Sequence, residues 1–273
     1  MAEGPVAGSP PWVPQEVDLT RPNAARVYDY YLGGAHNFDV DREFARRAKK
    51  LLPDVATVAL MNRQFLQRVV RELSHAGVRQ FLDLGSGIPT VGNVHEIARA
   101  INPDARIAYV DNDAVAVAHS RLLLEDDDRA DIVPADIRFP DTVLDHPITQ
   151  QLLDFREPVA VIMCSILHFV SDDEDPVGIV HGYRDALCSG SYLAVSHATT
   201  DGRPDLAAFG EVYRQTANPV TVRGYHDVAT FFDGFELIEP GLVFTSQWRP
   251  ENPAGVGDDP GASGAYAGVG RKP

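Results

Sequence analysis

Four short stretches of this chain end an apolar run on a residue able to hold a polar ligand. The first is Phe81-Leu82-Asp83-Leu84-Gly85-Ser86-Gly87, a buried strand running into a glycine turn. Glycines at such a turn let backbone approach a ligand where a side chain would block it. Asp83 repels a pyrophosphate and suits a cationic amine; the dinucleotide pattern also lacks its third glycine, because Thr90 stands there. A tight turn that binds nothing would have the same form. The second stretch, Ile107 to Asp113, puts Asp111 at the end of the next strand, where a carboxylate can accept both hydroxyls of a ribose. Asp113 fits a helix N-cap. The third, Val133 to Ile137, offers the Asp136 carboxylate to an adenine amino group and the next N–H to a ring nitrogen, or else a solvated turn. In the fourth, Met163 to His168, the carbonyls of Cys164 or Ser165 could bind an amine, and His168 could serve as a general base or merely pack beside the loop.

The elements that must position these groups alternate in period. Helices are expected at Ala24–Leu32, Asp41–Leu52 and Val55–Ala76, stopped in turn by Gly33-Gly34, Pro53 and Gly77. Strands are expected at Gln80–Leu84, Arg106–Val110, Ile132–Ala135, Val159–Met163 and Ser191–Val195, with helices at Val91–Ala100, Ala114–Leu124, Asp175–Leu187 and Asp205–Thr216 between and after them. His226–Phe232 reads as a helix, and Glu236–Glu239 and Leu242–Thr245 as strands. Such alternation implies an α/β, doubly wound, Rossmann-like sheet, whose ligands lie outside the carboxyl ends of the strands. Residues 1–20 read as an extended arm, 21–76 as a helical extension, 77–250 as the α/β domain, and the Gly- and Pro-rich 251–273 as a flexible tail.

Composition narrows the partners. Of 273 residues, 24 are Lys or Arg and 39 Asp or Glu, a net charge of −15 that repels phosphate backbones and anionic lipid. Neither nucleic acid nor membrane is expected as a partner. The start, MAEGPVAGSPPWVPQEVD, shows no signal-peptide pattern, and the two cysteines, without a Cys/His cluster, fit reduced thiols in a cytoplasm and no metal site.

Taken together these stretches resemble the class I S-adenosylmethionine-dependent methyltransferases. A closer resemblance is to an actinobacterial family of S-adenosyl methyltransferases, formerly a domain of unknown function. It is carried by Arg21-Pro22-Asn23-Ala24-Ala25-Arg26-Val27-Tyr28-Asp29-Tyr30-Tyr31-Leu32-Gly33-Gly34, by Asn37-Phe38, Asp41-Arg42 and Asn62-Arg63, and by Pro89-Thr90-Val91-Gly92-Asn93-Val94-His95. Phe231-Phe232-Asp233-Gly234 and Glu239-Pro240-Gly241-Leu242-Val243 to Trp248-Arg249-Pro250 complete it. The resemblance implies a seven-stranded sheet whose antiparallel last strand is Leu242–Thr245. It implies S-adenosylmethionine as cofactor, held by Asp83, Gly85, Ser86 and Gly87 at its methionine end, by Asp111 at the ribose and by Asp136 with Ile137 at the adenine, with Asn112 beside them. It further implies a lid in which Arg26, Tyr30, Gly33, Gly34, His36 and Asn37 close over the cofactor, Tyr30 by cation–π attraction. His36, His168 and His197 are the histidines able to reach the crevice. The acceptor is expected to be a small molecule. A protein that only binds the cofactor or its product, as sensor or scaffold, is the alternative; an NAD-dependent oxidoreductase fits the glycine pattern less well.

Overall fold

A computed structural model describes residues 18–90, 92–213, 216, 218–253 and 256–273. Residues 1–17 of the expected arm, and Val91 at the expected start of a helix, lie outside the described residues. Three helices precede the sheet. Asn23 caps α1 (Ala24–Tyr31) by accepting from the Ala25 N–H at 2.8 Å. Asp41, in α2 (Asp39–Leu51), accepts from the Phe38 N–H at 2.9 Å and so closes that helix's first turn. The long α3 (Val55–His75) buries Phe65, Leu66, Val69, Val70 and Leu73 at helical spacing, and Gly77 follows it with φ +93°.

The sheet then builds by alternation of strands and helices. In chain order come β1 (Gln80–Leu84), α4 (Val94–Ile101), β2 (Arg106–Asp111), α5 (Ala114–Leu123), β3 (Ala130–Pro134), α6 (Pro140–Leu144), α7 (Pro147–Leu152) and β4 (Ala160–Cys164). They continue with α8 (Pro176–Ala186), β5 (Tyr192–Ala198), α9 (Asp205–Tyr213), α10 (Tyr225–Thr230), β6 (Glu236–Leu237), β7 (Val243–Phe244) and β8 (Ala265–Arg271). The strand order is β3-β2-β1-β4-β5-β8-β6, with β7 also paired to β8. The strands β1 to β5 pair in parallel and β8 runs antiparallel to β5. Alternation along β1 and β2 separates two cores. Leu82, Leu84 and Val110 pack on one face with Tyr183 and Phe231; Phe81 and Ile107 pack on the other with Phe65 and Trp248.

The sheet differs from expectation at its antiparallel edge. Among the described residues it has eight strands, and Val243–Phe244 is only a two-residue strand beside β8. The strand that pairs with β5 comes from the segment read as a flexible tail, and Ala265–Gly270 are all buried. Its Gly and Ala residues carry no apolar signal because their smallness is the packing. A Cβ at Gly268 would lie 2.9 Å from the Phe232 ring, and one at Gly270 only 2.7 Å from Phe235 Cβ. The helix expected to reach Thr216 is described to Tyr213.

This packing generates a test. Gly270→Val should overpack the edge and cost about 1–3 kcal/mol, read as a lower midpoint of urea unfolding. A disordered tail would leave the midpoint where it is.

Candidate active site

The loops after β1, β2, β3 and β4 meet under α1 and α3 around a partly open cavity of about 540 Å³. The turn after β1 sets its floor. Gly85 (φ +72°) donates to Val110 O at 2.9 Å, and a Cβ there would lie 2.4 Å from Ile166. Gly87 (φ +68°) donates to Asp111 Oδ2 at 2.7 Å, and a Cβ there would meet nothing within 4 Å. The first glycine therefore serves close packing, and the second leaves an open position above the turn.

Two carboxyl groups are buried at this floor. Asp111 accepts from Gly87 N–H and, at 2.8 Å, from Asp113 N–H. Burial lifts its pKa to about 6 against those bonds. Asp83 receives no hydrogen bond from any described residue. Burial lifts it to about 7, opposed by the Arg63 charge and assisted by that of Asp111. Arg63, on α3, lines the cavity; its Nη2 donates to Gly92 O and Asn93 Oδ1, while its buried Nε has no partner among the described residues. Its neighbour Asn62 links four elements: it donates to Tyr28 Oη at 3.0 Å and accepts from Ser196 Oγ at 2.5 Å, and Ser196 Oγ accepts from Ser165 N–H at 3.0 Å. Ser165 sits at φ +54° within this network. Sequence reasoning gave Asn62 and Arg63 no role. The available signal was a polar residue, Asn62, on the buried stripe of α3.

The other expected residues divide. Asn112, Asp136, Ile137, Cys164, Ser165 and His168 all line the cavity with Asp83, Gly85, Ser86, Gly87 and Asp111. Asp113 caps α5, accepting from Val115 and Ala116. Asp136 is engaged by Arg138, at 3.0 Å from Nε and 2.5 Å from Nη2. Burial raises it, but these bonds outweigh burial and hold it below the ordinary value. Burial pushes the Cys164 thiol far up, which removes it as a nucleophile. The buried Nδ1 of the His168 ring has no hydrogen-bond partner among the described residues, and burial with the nearby Arg223 charge pushes the ring down to about 3.

His197 and most of the expected lid lie elsewhere. The His197 ring is fully buried off the cavity, with Nδ1 at 2.8 Å from Ala198 O and Nε2 accepting from Arg223. It holds Arg223 in place and does not face a ligand. The helix α1 does line the cavity, but through Ala24, Tyr28 and Tyr31. Tyr30 falls on the other face and packs with Val27 and Phe44. Arg26 is a buried partner of Asp41, at 3.1 Å. Asp29 accepts from His36 N–H and from Asn37 Nδ2, and a Cβ at Gly34 would lie 1.9 Å from Asp29 Oδ1. Gly33, with φ +80°, turns the chain into that loop, and the His36 ring packs against His119 at 4.0 Å. These residues bond mostly to one another and close the ends of two helices, and they do not line the cavity. Among the described residues, no group of three or more His, Cys, Asp or Glu is placed to hold a metal ion, and no helix is long and apolar enough to cross a membrane.

A family model described as S-adenosyl methyltransferase matches residues 10–273. The chain belongs to this family. Within the S-adenosyl methyltransferases it is similar to a candidate methyltransferase from Thermobifida fusca: 41% identity, 93% of this chain and 96% of the other, TM-score 0.88. It is also similar to a DUF574 family protein from Streptomyces avermitilis: 37% identity, 93% of this chain and 98% of the other, TM-score 0.89. No curated protein matches it. The chain is thus an S-adenosylmethionine-dependent methyltransferase with the Rossmann-like fold of that class.

The lifted Asp83 carboxyl has a signed consequence for pH. Its ordinary value is 3.8 and its folded value about 7, so the folded state holds the proton more tightly. The group's contribution to stability is present below about pH 4 and is lost as pH rises through 7. Asp83→Asn should therefore match wild type near pH 4 and unfold at a higher temperature than wild type at pH 8. Equal melting temperatures at pH 8 would mean that Asp83 is not strained by burial.

Proposed function

We propose that this methyltransferase acts on a small-molecule acceptor, and that the cofactor lies along the carboxyl ends of β1 to β4. One observation carries the placement: an unbonded carboxyl, Asp83, and a buried unpaired donor, Arg63 Nε, flank the open position at Gly87. That pair is complementary to the ammonium and carboxylate of an amino-acid end. In this reading Asp83 holds the ammonium, with the carbonyls of Cys164 or Ser165 beside it, and Arg63 the carboxylate. Gly85, Ser86 and Gly87 let backbone pass close below. Asp111 accepts from the ribose, and Asp136, Asn112 and Ile137 border the adenine, with Arg138 sharing the Asp136 carboxylate.

When bound, the cofactor supplies a methyl group already activated by a positive sulfur. The protein's own residues then need to align the acceptor and exclude water. Tyr28 and Tyr31 of α1 and Ala59 and Leu66 of α3 roof the cavity for that purpose. His168, pushed down to about 3, is a neutral and only weakly basic imidazole at neutral pH and is not assigned as a general base. The −15 charge favours a small acceptor over a nucleic acid.

S-adenosylhomocysteine at about 100 times its dissociation constant should add about 2.7 kcal/mol of stability, roughly 5–10 °C in melting temperature, and NAD should add nothing. Arg63→Met should weaken S-adenosylhomocysteine about 10- to 100-fold in calorimetry, the loss of a charge-assisted hydrogen bond. A shift with NAD alone would overturn this reading of the site.

A further inference from the structure

The cavity has a second end that the cofactor groups do not explain. Apart from Arg63 on α3, the charged side chains lining it lie at or after the carboxyl ends of β1 to β4, and of these Glu174, after β4, is already paired with Arg138. The far end is walled by Val55 and Val58 of α3, Leu206, Phe209 and Tyr213 of α9, and Phe169. The rings of Phe209 and Tyr213 lie 4.9 Å apart, and Phe169 and Tyr213 6.3 Å, which makes one continuous aromatic wall. Two polar groups interrupt it: the Tyr31 hydroxyl, buried without a partner among the described residues, and the His168 ring. His168 adjoins Phe169 at 4.3 Å and is 8% exposed, and its ring Nδ1 has no hydrogen-bond partner among the described residues.

What stands behind His168 restricts what it can meet. Arg223 makes five hydrogen bonds, to Leu167 O, Val170 O, His197 Nε2 and, twice, Asp172 Oδ1. These bonds fix the turn that carries His168 and leave the guanidinium committed, so it cannot turn to an anionic ligand. Its charge also disfavours a second cation at His168. A carboxylate or phosphate entering this end would find no free cation, and an ammonium no carboxylate; either would be buried unpaired. A neutral imidazole offers one N–H donor and one bare nitrogen acceptor. A hydroxyl can satisfy whichever of the two faces it.

Resting on the cofactor placement above, we propose that this chamber takes the acceptor, and that the acceptor is an uncharged, flat aromatic molecule with a hydroxyl that hydrogen-bonds the His168 imidazole. The aromatic wall supplies the burial. His168 fixes the orientation and is a positioning residue.

Calorimetric titrations of the full chain test this with naphthalene-based probes. S-adenosylhomocysteine is titrated first; a chain that does not take it overturns the cofactor placement, and this inference with it. On the loaded protein, 2-naphthol should bind, with 2-naphthoate and naphthalene each at least about tenfold weaker. In His168→Ala the advantage of 2-naphthol over naphthalene should vanish while S-adenosylhomocysteine binds as before, and His168→Asn should restore part of it. Binding of 2-naphthoate as tight as 2-naphthol, failure of 2-naphthol on loaded protein, or an advantage that survives in His168→Ala would each overturn the inference and leave the cofactor site standing. The wild-type comparison decides even if a variant does not fold.

Discussion

Two carboxyl groups, Asp83 and Asp111, are buried side by side at the ends of neighbouring parallel strands, and the site is organised around their cost. Taking a carboxylate out of water is expensive unless it is paired or hydrogen-bonded. Asp111 is compensated by the N–H groups of Gly87 and Asp113, and those bonds fix the glycine turn and the start of α5. Asp83 has no such bonds; the Arg63 charge opposes its burial and the Asp111 charge adds to it. A fold that needed nothing from Asp83 would be more stable with an apolar residue there. Stability given up at one buried group is a usual mark of a site waiting for a ligand.

The rest of the architecture builds a fixed chamber over that charged floor. The Tyr28–Asn62–Ser196–Ser165 chain ties α1 and α3 to β5 and the loop after β4, so roof and floor are held to one another. Behind the opposite wall, Arg223 does the same for the turn bearing His168. Methyl transfer from a sulfonium asks little of acids and bases and much of alignment, and a preorganised apolar chamber meets that demand.

What was legible in the sequence follows from how locally each feature is determined. The strand ends at Asp83, Asp111 and Cys164 could be read because a buried parallel strand is a continuous apolar run, and its first polar residue marks the carboxyl end. The β8 strand could not, because Gly268 and Gly270 are small to admit Phe232 and Phe235, partners far away in sequence. The polar run from Arg26 to Asn37 looked like ligand-binding chemistry, yet its groups are spent on Asp41 and Asp29. Helical spacing alone separates Tyr28 and Tyr31, on the cavity face, from Tyr30. His197 was misplaced because its burial depends on Arg223 and on the strand pairing of β5 with β8.

The central claim is that Asp83 is a strained carboxyl relieved by the cationic end of the cofactor. Its titration can be followed directly by carbon-13 NMR of the labelled side-chain carboxyl, with and without saturating S-adenosylhomocysteine. The account predicts a midpoint near the folded value of about 7 in the free protein and a fall of at least about one unit when the ligand binds. A midpoint that does not move on binding, or one already at the ordinary value in the free protein, would contradict it.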